Sequence, residues 1–116
     1  MAIFEEIQKK TEELAELLSQ HGDYIQYKAA REKAMENETT RALLKQYNDV
    51  RVKLQANQVI GVEDEELNKT FKNLNEILSM NRDAVNYLVL EYKVTSVMGY
   101  VYETLSKAVK LDGVIE

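Results

Sequence analysis

Apolar residues recur along this chain at intervals of three and four, the repeat of one helix face, and polar clusters interrupt the pattern four times. Ile3, Ile7, Leu14 and Leu18, with Leu17 beside them, predict a first helix over residues 3–19. It is expected to stop at "QHGD", where Gly22 suits a left-handed position just past a helix end. Asp23 would then open a second helix, with Gln26 completing a capping box and a narrow stripe of Tyr24, Tyr27, Ala30 and Ala34. After "ENETT", Thr39 or Thr40 would cap a third helix with the stripe Leu43, Tyr47, Val50 and Leu54, Leu44 on its flank and Gly61 at its end. Glu63 and Asp64 lie where the positive end of a fourth helix dipole favours them, ahead of Leu67, Phe71, Leu74 and Leu78 with Ile77 adjacent. "SMNRD" breaks that run, and Asn81 or Asp83 would cap a last helix over 83–110, closed by Asp112 and Gly113.

The last segment departs from the stripe pattern. Its apolar residues, from Ala84 and Val85 through Leu88, Leu90, Tyr92 and Tyr102 to Val109, cover half the circumference or more. A helix of this length is a rod of about 42 Å. A compact chain of 116 residues has a diameter of only about 35 Å. Such a rod would expose apolar surface unless something covers it, most simply a second copy in an isologous dimer. Gly99 costs about 1 kcal/mol in mid-helix relative to alanine, which points to close approach of another helix there, within the subunit or across a dimer. The expectation is an all-α bundle of about five helices with a long C-terminal helix, a single helical domain over 1–116, dimeric through the fifth helix with help from the third.

Composition supports long elements, with no proline and only four glycines. It also narrows the function. The 15 basic residues are scattered among 20 acidic ones for a net charge of −5, so no basic patch marks direct nucleic-acid binding. Without cysteine there are no disulfides, thiolate metal sites or cysteine nucleophile. No run approaches the length of a membrane span and none reads as a signal peptide, so the expected location is the cytoplasm. His21 is the only histidine, too few for the Glu-x-x-His pairs of a helical di-metal site, and no serine has nucleophile-elbow glycines. The acidic run 63–66 lacks the calcium-loop pattern. No cofactor is expected. Tyr27, Tyr47, Tyr92 and Tyr102 fall on core stripes, where packing with the hydroxyl at the rim is the ordinary outcome.

Two features stand out as candidates. On a wheel with Leu43 at zero, Gln58 lies near about 60°, Gln55 near about 120°, and Val59 and Val52 near about 160° and 180°. The third helix thus carries a second, weaker apolar ridge, with Gln55 and Asn48 between its faces. One reading is a contact surface whose amides hydrogen-bond across it, since amides both donate and accept. The other is helix-end chemistry alone. With them, Val97, Met98, Gly99, Val101 and Leu105 are the expected interface residues on the fifth helix. The second feature is Glu91, expected to be a buried polar group among Tyr87, Met98, Leu105 and Val109, where an unpaired carboxylate costs several kcal/mol. A tyrosine or arginine partner is the structural explanation, with Tyr27, Tyr47 and Arg51 the candidates. A carboxylate held for metal or proton chemistry is the catalytic one.

The strings "YNDVRVKLQANQVIG" and "NYLVLEYKVTSVMGYVYETLSKAV", with the acidic helix start between them, resemble the YlbF/YmcA family of small helical bacterial proteins. The similarity continues upstream through "LAELLSQHGDYIQYKAAREKAMEN", and Gln55, Gln58 and Gly61 carry its most specific part, Gln-x-x-Gln-x-x-Gly. The resemblance implies a non-enzymatic regulatory or adaptor role in competence, sporulation and biofilm control, or in messenger-RNA processing through a membrane-anchored endoribonuclease. Some relatives work in a complex with cysteine-ligated iron–sulfur clusters, a role a chain without cysteine cannot carry over. It looks more like the dimeric YheA-type branch. Relatives tend to place a proline before the last helix, where this chain has Arg82 and Asp83. The alternatives are a carboxylate-based metal- or small-molecule-dependent enzyme and an RNA-processing accessory factor acting through a partner.

Overall fold

A computed structural model describes residues 2–110. It contains five helices: α1 (Ala2–Gln20), α2 (Gly22–Glu36), α3 (Glu38–Ile60), α4 (Glu65–Ser79) and α5 (Arg82–Ala108). No strand occurs among the described residues. The expected closure at Asp112 and Gly113 lies outside them. The chain forms two compact units, one of residues 1–28 and 89–116, the other of residues 29–88.

The helix ends follow from side chains that replace missing backbone partners. α2 does not begin as the sequence suggested. The His21 carbonyl accepts from the Ile25 N–H at 3.1 Å, and its Nδ1 accepts from the Asp23 N–H at 3.2 Å. His21 is therefore the N-cap, and Asp23 lies inside the first turn. Gly22 is the first helical residue, and among the described residues only Gly61 has positive φ. A one-residue link between helices leaves no room for a left-handed cap. α3 is capped by Asn37, whose Oδ1 accepts from the Thr40 N–H at 3.0 Å, so neither threonine is the cap. The end at Gly61 is as expected, Asn81 is the one of the two candidates that caps α5, and Asp64, expected only to complement the dipole, is the cap of α4. Gly61, at φ 73°, donates to the Gln58 carbonyl, and Val62 donates to that of Asn57 at 2.9 Å. These two bonds make the Schellman arrangement. Asp64 caps α4 through the Leu67 N–H at 3.0 Å, and Asn81 caps α5 through the Ala84 N–H at 3.1 Å.

The unit of residues 29–88 holds nearly all of the buried side chains. α3 and α4, joined by four residues, form an antiparallel hairpin in which the Tyr47 ring stacks on Phe71 at 5.3 Å. Leu44, Val50, Leu74 and Leu78 are buried along this hairpin. Leu44 lies deeper than Leu43, so the buried line on α3 is turned toward residues the sequence placed on its flank. At the far end Thr40, 3% exposed, accepts from Asn81 Nδ2 at 2.8 Å. Alanines add to it: Ala34 and Ala84 are fully buried and Ala30 almost so, as is Tyr87. A Lys33–Asp83 ion pair at 3.8 Å is largely exposed and contributes at most about 1 kcal/mol.

The described residues of the other unit, 2–28 and 89–110, pack less deeply. Not one residue of α1 is buried. Tyr92 and Tyr102, expected on core stripes, are 74% and 66% exposed. The apolar arc of α5 is wider than one neighbouring face can cover, and these rings fall on the uncovered part. Gly99 is likewise no point of close approach within the chain, since a Cβ built there meets nothing within 4 Å.

Candidate functional site

The interface candidates divide between the two units. Val52, Gln55, Gln58 and Val59 lie on α3 in the unit of residues 29–88, and all four are exposed. Val59 is the extreme, at 86%. Gln58 stands out in solvent while Asn57 is the half-buried member of that turn. Beside the ridge, Arg51 donates to Asn48 Oδ1 at 2.7 Å and lays its guanidinium over the Tyr47 ring, 5.7 Å from its centre. The ridge therefore stands on a fixed base, because that ring is itself stacked on Phe71. The Gln-x-x-Gln-x-x-Gly run thus has two parts with different tasks. Gly61 terminates the helix through backbone geometry, whereas the two glutamines offer donors and acceptors to solvent.

On α5, in the other unit, Val97 and Leu105 are exposed, Met98 and Val101 half-buried, and Gly99 open. Val97 and Met98 help line a cavity of about 350 Å³. Val94 of α5, Ala15, Leu18 and Ser19 of α1, and His21, Asp23 and Tyr24 complete its wall. Its body is apolar, and its polar groups gather where His21 caps α2. Neither this cavity nor the exposure of α1 was anticipated. The signal lay in Ala15 and Ser19, small residues beside Leu18 that leave space where a larger side chain would fill it.

Glu91 is half-buried and partnered. Among the described residues no three histidine, cysteine, aspartate or glutamate side chains gather in a group able to hold a metal ion. No helix among them is long and apolar enough to cross a membrane.

Comparison with known proteins gives the lineage. A curated "UPF0342 protein" of Halothermothrix orenii is 31% identical over 97 residues, covering 82% of this chain and 78% of the relative. Among solved structures, a protein of unknown function (DUF964) from Bacillus stearothermophilus superposes with a TM-score of 0.72 at 16% identity, over 88% of this chain and 90% of the other. The crystal structure of Bacillus subtilis RicA in complex with RicF gives a TM-score of 0.58, also at 16% identity, over 89% and 92% of the chains. At such identity these two show a shared fold. Residues 7–110 match the family described as "Control of competence regulator ComK, YlbF/YmcA", and the chain belongs to that family.

Proposed function

We propose that this chain is a non-enzymatic regulatory adaptor, which works by presenting helical faces to other proteins and to a second copy of itself. The observation that carries this reading is the unpaired apolar surface of α5 and α3. Val52 and Val59 of α3, two turns apart, stand in solvent as one ridge, and on α5 Leu105 is exposed while Val97 is partly so at the cavity rim. Exposed ridges of this kind on a helical protein are what partners cover. Gln55 and Gln58 add hydrogen-bonding groups at the ridge edge, which suit specific helix contacts without the desolvation cost of charges. Membership of a family described by control of a competence regulator supports a regulatory task. A solved chain of the same fold, found in a complex of RicA with RicF, supports protein partners. The cysteine-free sequence fits a YheA-type member working without a cluster.

The test is a crosslinked native pull-down from the source cell, read by mass spectrometry. Recovery of a ribonuclease complex or of phosphorelay proteins, lost when Val52 and Val59 are both changed to aspartate, is the expected result. Recovery of the chain alone would refute the adaptor role.

A further inference from the structure

We infer that α1 is a docking strip for a basic amphipathic helix of another protein. The helix is strongly two-faced, yet it buries none of its residues. Ile3, Phe4, Ile7 and Leu17 are between 56% and 72% exposed. With Leu14 and Leu18 they form a mainly apolar band about 160° wide, running round to Ala15 and interrupted by Thr11 and by Lys10, whose ammonium is drawn to Glu13. Amphipathic helices of globular chains turn such a band inward, and one left outward is an unfilled contact. The band is continuous with the cavity, because Ala15 and Leu18 belong to both. A partner helix along α1 could therefore seat an apolar anchor against Val94 and Met98, as helix-in-groove recognition does.

Charge selects among the possible occupants. α1 carries five glutamates against two lysines, an excess of three negative charges. One lysine, Lys10, is already paired with Glu13 at 3.5 Å. Glu6 and Glu13 border the apolar band, and Glu5, Glu12 and Glu16 lie further round. A second copy of α1 would set the same excess against itself, and an anionic lipid surface would be repelled likewise. A helix with lysine or arginine beside its apolar face is attracted, and its association should weaken with salt. The strip shares Val97 and Met98 with the expected α5 interface but not Leu105 or the α3 ridge, so Leu105→Asp, which should abolish the dimer proposed above, should leave peptide binding intact.

The experiment titrates the full chain against two labelled synthetic peptides of about 20 residues, long enough to fold on contact. They share one leucine face, flanked by lysine in the first and by glutamate in the second. The lysine peptide is expected to bind in the micromolar range and to lose affinity about tenfold or more with Ile7→Asp or Glu13→Lys. Both positions are exposed, so circular dichroism should report unchanged helix content. Equal binding of both peptides, binding indifferent to these changes, or no binding would overturn the inference. So would a wild-type dimer that Ile7→Asp converts to monomer, since a second copy would then be the occupant.

Discussion

Replacing Asn81 by alanine removes two hydrogen bonds with different consequences. The Oδ1 cap on the Ala84 N–H is lost at the start of α5, and Thr40, almost wholly buried, loses its Nδ2 donor. Cap loss costs about 1 kcal/mol, and an unsatisfied buried hydroxyl about 1–3 kcal/mol. We expect Asn81→Ala to lower the urea midpoint markedly with an unchanged slope. Asn81→Asp, which keeps the cap but not the donor, should fall between. Gly99 leads the other way. With open space at its Cβ position, Gly99→Ala should stabilise the fold by about 0.5–1 kcal/mol. If the dimer crosses at this point, Gly99→Leu should reduce assembled mass while thermal unfolding of the dissociated chain stays unimpaired.

Among the elements, α1 and the α3–α4 hairpin are opposites. The hairpin has a continuous buried seam, whereas α1 has only half-buried Leu18 as its deepest contact. Local opening follows burial, so α1 amides should exchange with deuterium well before those around Leu44 and Leu74. Slow exchange in α1 of the free chain would show that something already covers it. The same contrast explains what could be read from the sequence. Helix number and the ends at Gly61, Asp64 and Asn81 were legible, because periodicity and cap chemistry are local. His21 was missed as a cap because an imidazole is an uncommon one, and Asn37 because the adjacent threonines have equal local claim. Tyr92 and Tyr102 were misplaced for another reason. A wheel shows which residues share a face, but not which faces find a neighbour. Glutamines at the ridge were legible as surface candidates, whereas the cavity depends on three helices meeting, and small residues such as Ala15 and Ser19 permit it without locating it.

For the whole molecule, α2 and α5 each run uninterrupted from one compact unit into the other. We therefore expect a single cooperative unfolding transition, as for one helical domain. Two separated transitions by circular dichroism and tyrosine fluorescence would contradict it. Light scattering at micromolar concentration should report twice 13.4 kDa, and Leu105→Asp should return the mass to one chain. Two alanines of the 29–88 unit set a further limit. Ala34 and Ala84 have no exposed surface, and each has little side chain to remove. Most cores suffer when residues shrink; this part of the chain suffers when they grow. Ala34→Leu would force neighbouring helices apart at a cost of about 1–3 kcal/mol. A saturation screen should accordingly show a ceiling on size at these two sites and wide latitude along α1. Sequence change should therefore be cheap along α1, whatever it meets, and costly at these two alanines.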